Sequence, residues 1–120
     1  MHEVSVTTYI KKKSYTTILF IQYYGKTEET VITGRCENDT LNAIELKAVI
    51  AGLKAIASPS IITIYTKSGY IKGVLENYWY VAWSKNGWKN AKNKSAANGE
   101  LWQQLIRLLK LHVFRVETKH

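Results

Sequence analysis

At 120 residues, 46% of them apolar, the chain can bury one core but not two, and a single domain over residues 1–120 is expected. Seventeen Lys and Arg against nine acids leave a formal charge of +8, a field that draws nucleic acid or another anionic surface. The single cysteine, Cys36, excludes an internal disulfide and a four-thiolate zinc site, and there is no apolar run long enough to span a membrane. The start MHEVSVTTYIKKK has neither a signal-peptide core nor a cleavage pattern, so a reducing, cytoplasmic setting and no membrane partner are expected.

Three segments rich in Thr, Tyr, Ile and Val come first: VSVTTY (Val4 to Tyr9), SYTTILFIQYY (Ser14 to Tyr24) and EETVITGR (Glu28 to Arg35). A lysine run and a Gly25-Lys26 turn separate them, the pattern of an antiparallel three-strand meander. In NAIELKAVIAGLKAI, Ile44, Ala48, Ala51 and Ala55 keep helical spacing, and Leu46, Val49, Ile50 and Leu53 widen the apolar face, so this helix is expected to be covered on most sides. Ser58-Pro59 ends it, and IITIYT (Ile61 to Thr66) reads as a fourth strand. Helical signals return in YIKGVLENYW and around Val81 to Lys85. A last helix, GELWQQLIRLLKL, has Asn98 as its expected cap and a stripe of Leu101, Leu105 and Leu108 or Leu109. HVFRVET (His112 to Thr118) closes as a fifth strand, giving an α/β protein with a five-stranded mixed sheet flanked by helices.

Four stretches in this order, NAIELKAVIAGLKAI, IYTKSGYIKGVL, NYWYVAWSKNGWKNAKNK and NGELWQQLI, together resemble ribonuclease H of the bacterial type. The resemblance covers nearly the whole chain and implies the ribonuclease H-like fold without its C-terminal helix. It also implies two-metal hydrolysis of an RNA/DNA hybrid, in which clustered carboxylates hold two Mg2+ about 4 Å apart. Of the family's four acids, the resemblance carries over Glu45 in NAIEL. The first acid falls at Tyr9, or at Thr8 if the register slips by one, and the third at Lys67 in Thr66-Lys67-Ser68. The fourth lies beyond the last residue here. The only aspartate, Asp39, falls in the loop ENDT, so no shift of register rebuilds an aspartate-rich centre. Glu45 is therefore a remnant and no catalytic set is intact. No metal site and no cofactor are expected, Mg2+ entering only if the chain is active after all. Lys67 is expected either to lie within about 4 Å of Glu45 as an ion pair or to point to solvent.

The basic segment is the stronger signal. From Asn77 to Gly99 it holds Lys85, Lys89, Lys92 and Lys94 with no acid, interleaved with Trp79, Trp83 and Trp88. It resembles the family's basic protrusion, which grips the hybrid. Trp79 and Trp102 are expected in the core. Trp83 and Trp88, with few apolar neighbours in sequence, are expected against sugars of a strand while the lysines meet phosphates. Asn42 matches a family position that contacts the hybrid's minor groove, where an amide reads the 2′-OH. His120 is expected to fray, His2 and His112 carry no pattern, and Cys36 reads as a small apolar residue. The leading expectation is an inactive module that binds nucleic acid, an RNA/DNA hybrid or another duplex. A protein-interaction subunit using the old substrate face, with a partner covering the place of the missing helix, is the alternative, and an active ribonuclease is the third.

Overall fold

The computed structural model describes residues 2–85, 87 and 98–118. The meander is there: β1 (His2–Lys11), β2 (Ser14–Tyr23) and β3 (Lys26–Arg35) pair antiparallel in chain order. The pairing of Tyr23 with Lys26 leaves Tyr24 and Gly25 as the turn, one residue earlier than expected. Both have positive φ, 48° and 74°, as a two-residue hairpin that matches the strand twist requires, and Lys26 is drawn into the ladder.

Helix α1 (Leu41–Lys54) then carries the chain across the sheet to β4 (Ser60–Thr66), which joins β1 in parallel. After α2 (Gly69–Glu76), α3 (Trp79–Lys85) and α4 (Gly99–Leu109), β5 (Val113–Thr118) adds in parallel beside β4. The sheet order is β3-β2-β1-β4-β5, a mixed five-stranded sheet with four helices. Alternation sets its faces: Val4 and Val6 of β1, Leu19 of β2, and Ile62 and Ile64 of β4 are all buried. Their neighbours Ser5, Phe20, Ile61, Thr63 and Arg115 line an open groove of about 530 Å³.

Helix α1 is the centre of the core and is covered on most sides, as its apolar breadth predicts, although Ala55 ends it as an exposed cap. Thr40 caps its start, its hydroxyl accepting from the Ala43 N–H at 3.2 Å. Helix and sheet meet closely at Gly52, where an added Cβ would lie 2.9 Å from Thr17 Cγ2 and 3.0 Å from Val6 Cγ1. Thr17 also donates to the Ala48 carbonyl at 2.8 Å, which fixes this contact.

Helix α4 buries Trp102, Leu105 and Leu109, so the stripe takes Leu109, and Leu108 is only partly covered. Asn98 stands at the N-cap position without making a side-chain cap bond. Its φ of 61° is left-handed, whereas capping side chains reach the first turn from an extended backbone. The expected helix from Tyr70 to Trp79 divides at Tyr78, whose φ of 55° breaks the run between α2 and α3. No helix among the described residues is long and apolar enough to cross a membrane.

Candidate functional site

The parallel register of β1 and β4 runs from His2 opposite Ser60 to Thr7 opposite Tyr65, so one further step brings Thr8 level with Thr66. Both continue the inward series of their strands, and both are buried, at 3% and 1% exposure. They meet Glu45 of α1, itself only 6% exposed. Thr66 Oγ1 donates to Glu45 Oε1 at 2.8 Å, and Thr8 Oγ1 donates to the same oxygen. The Ser68 N–H in turn donates to Thr66 Oγ1 at 3.0 Å, and the Ser68 hydroxyl caps α2 by accepting from the Ile71 N–H at 3.2 Å. A buried carboxyl is costly without partners, and here two hydroxyls supply them.

The expected ion pair between Lys67 and Glu45 is not formed. Among the described residues the ion pairs are Arg35–Glu37, Lys47–Asp39, Lys72–Glu76 and Arg115–Glu117. Alternation explains the difference: Thr66 is the last inward residue of β4, and Lys67, the next, is exposed. The same reasoning separates the two registers considered for β1, since Thr8 meets Glu45 while Tyr9 is 47% exposed at the rim. Asp39 is held by Lys47 at 2.6 Å, and that hydrogen bond raises the Lys47 ammonium above its ordinary range.

Tyr9, Asn42, Glu45 and Lys67 nonetheless share one open cleft of about 510 Å³, with Leu41 and Tyr70 beside them. Asn42 is exposed in the first turn of α1, so its amide faces any occupant. Trp83 lies elsewhere. It is half-buried on the core, with its ring 6.1 Å from that of Trp102 at 65°, and Tyr70 meets the same Trp102 ring at 5.7 Å. Trp102 is fully buried as expected, and its Nε1 donates to the Tyr70 hydroxyl at 2.7 Å. The burial expected of Trp79 and Trp83 is therefore reversed: Trp79 is 49% exposed and lies over Gly73. Helix α3 buries no residue fully and turns Trp83 inward. Lys85 is exposed at the end of α3. Trp88, Lys89, Lys92, Lys94 and His120 lie outside the described residues.

Thr8 and Thr66 are the site residues that sequence reasoning missed, Thr8 having entered only as an alternative register. Their signal is a polar residue continuing an apolar inward alternation, Val4-Val6-Thr8 and Ile62-Ile64-Thr66. A hydroxyl in that place needs a buried partner, and Glu45 is the polar group that α1 offers there. His112 also has a role the sequence did not signal: its Nδ1 accepts from the Ser60 N–H at 3.0 Å, joining the start of β4 to the approach to β5.

The RNase H family model matches residues 7–119. Ribonuclease H of Caldicellulosiruptor saccharolyticus is 42% identical over 87 residues, 72% of this chain and 60% of that relative. The chain thus spans about 60% of that relative's length. Among solved structures, LC9-RNase H1, a type 1 RNase H with the type 2 active-site motif, superposes with a TM-score of 0.75 at 19% identity, covering 98% of this chain and 63% of that one. The foamy viral protease-reverse transcriptase in complex with RNA/DNA hybrid gives 0.68 at 17% identity, covering 98% of this chain and 17% of that one. These structural likenesses are of fold.

Ribonuclease H is an enzyme class that uses Mg2+, and this overturns the expectation of a protein without a cofactor. The described residues do not fit a two-ion centre: Glu45 is the one carboxylate lining the cleft, and no three His, Cys, Asp or Glu side chains among them gather to hold a metal. The family match over residues 7–119 and the relative 42% identical over 72% of the chain show, with a five-stranded sheet of the same fold, that the chain belongs to the ribonuclease H family.

Proposed function

We propose that this chain is a nucleic-acid-binding module of the ribonuclease H family, holding an RNA/DNA hybrid or a related duplex without cutting it. The observation that carries this reading is the state of the cleft. Its single carboxylate, Glu45, is tied through Oε1 to Thr8 and Thr66, and the strand-end positions beside it are Tyr9 and Lys67. Holding two divalent ions for phosphodiester hydrolysis takes several oxygen ligands, and one carboxylate falls short of that set. Binding makes smaller demands. A net charge of +8 draws the polyanion, Asn42 offers an amide at the cleft, and Lys85 begins a basic run that continues through Lys89, Lys92 and Lys94 with Trp88 among them. Trp83, seated on Trp102, serves this surface by anchoring α3 beneath Lys85. A cytoplasmic setting accords with the free, buried thiol of Cys36.

A second reading, an active hybrid ribonuclease, is favoured by the 42% identity to a relative that bears that name. Gel shifts with RNA/DNA hybrid, duplex RNA, duplex DNA and single strands at two salt concentrations test the binding itself. Retarded hybrid or duplex whose affinity falls steeply with salt is the expected result. Absence of binding to every nucleic acid at the lower salt overturns the proposal.

A further inference from the structure

We infer that Lys67 contacts a backbone phosphate of the bound nucleic acid at the mouth of the cleft; this rests on the reading of the cleft as a nucleic-acid face. Lys67 follows the last residue of β4, where the chain turns into α2, and it lines the cleft with Asn42 and Glu45. Two other lysines on this domain have their charge engaged. Lys47 is held by Asp39 at 2.6 Å, and Lys72 donates to Thr118 at 2.7 Å and lies 3.6 Å from Glu76. Lys67 is exposed and, among the described residues, has no carboxylate within ion-pair distance.

The carboxylate that lines the same cleft, Glu45, already accepts hydrogen bonds. Glu45 is buried beneath the rim, with Oε1 accepting from two threonine hydroxyls, and strand alternation sends Lys67 away from it. The result is an available ammonium on a concave surface whose other walls include the exposed amide of Asn42 and the apolar Ile10 and Leu41. A phosphodiester matches this set: its anionic oxygens take the charge and the flanking sugar meets the apolar wall. The turn is open at Gly69, where an added Cβ would have no neighbour within 4 Å. The contact is with a backbone group, so it contributes affinity and register rather than base preference.

The test compares hybrid binding by the parent, Lys67→Gln, Lys67→Arg and Lys54→Gln across a range of NaCl concentrations, with circular dichroism to confirm each fold. Lys54 is exposed at the far end of α1 and serves as the charge control. Loss of one phosphate contact lowers the slope of log K against log salt by about 0.7–0.9, so Lys67→Gln is expected to show that drop, with Lys67→Arg and Lys54→Gln keeping the parental slope. A parental slope for Lys67→Gln in a protein that still binds hybrid overturns this inference and leaves the proposed function standing. An equal drop in Lys54→Gln overturns it too, since the effect is then one of net charge. If the parent binds neither hybrid nor any other nucleic acid, whether or not an acidic polypeptide binds the Lys67 surface instead, both this assignment and the proposed function fall.

Discussion

Replacing Thr66 by Val keeps the shape of a fully buried side chain and removes one oxygen, and that oxygen makes two hydrogen bonds. It donates to Glu45 Oε1 at 2.8 Å and accepts from the Ser68 N–H at 3.0 Å. A hydrogen bond to a charged or ionisable group contributes about 1.5–3 kcal/mol, and an ordinary one about 0.5–1.5 kcal/mol. The Ser68 N–H lies at a partly open turn, so water recovers part of the second. The expected loss is therefore about 2–4 kcal/mol, a large share of the roughly 5–15 kcal/mol typical of a folded domain. With a urea dependence of about 2 kcal/mol per molar, the middle of the usual range, the unfolding midpoint should fall by about 1–2 M. Thr7→Val, one residue before Thr8 on the other side of β1, should stay within about 0.5 kcal/mol of the parent. Replacing all three members as Thr8→Val, Glu45→Met and Thr66→Val should recover most of the loss, because an apolar cluster leaves no polar atom unpaired. If Thr66→Val and Thr7→Val unfold alike, the hydroxyl cage around Glu45 is not what holds this end of the sheet.

Three further outcomes follow from the packing. Trp83→Ala should destabilise by about 1–3 kcal/mol through loss of its contact with Trp102, whereas Trp79→Ala should cost less than about 1 kcal/mol; parallel urea titrations decide between this and the reverse order that the sequence favoured. Gly52→Ala should cost about 1–3 kcal/mol, because the new methyl would press on Thr17 and Val6, and a neutral result would show that α1 can lift from the sheet freely. Burial lowers the His112 pKa below its ordinary 6.5, so the unfolded chain takes up a proton first. The stability this gives is present above about pH 6.5 and lost as pH falls below it; His112→Asn should flatten that dependence in unfolding curves taken between pH 7 and pH 5.

The fold was legible because its signals are periodic. Val4, Val6, Ile62 and Ile64 alternate, α1 is apolar over most of its circumference, and each element appears where its pattern lies, with ends shifted by a few residues. The site was legible only in outline. Glu45 and Lys67 stood out as residue types, but whether they touch depends on the parity of Lys67 relative to the inward face of β4, a question settled by register with β1. The tryptophans misled for a related reason. Sequence neighbours of Trp83 are polar, yet its packing partner Trp102 comes from α4, nineteen residues on in the chain, and no local pattern encodes that meeting. Asn98 is a good capping residue by type, but its left-handed backbone leaves the side chain without a cap bond.

The most direct measurement is incubation of the purified chain with labelled RNA/DNA hybrid in Mg2+ or Mn2+ over hours, beside a Glu45→Ala control, under conditions where a gel shift reports binding. The hybrid should be bound and remain intact in both samples, since the cleft contributes one carboxylate and two hydroxyls to it. Cleavage by the parent that disappears with Glu45→Ala would contradict the account and make Glu45 the working carboxylate of an active ribonuclease.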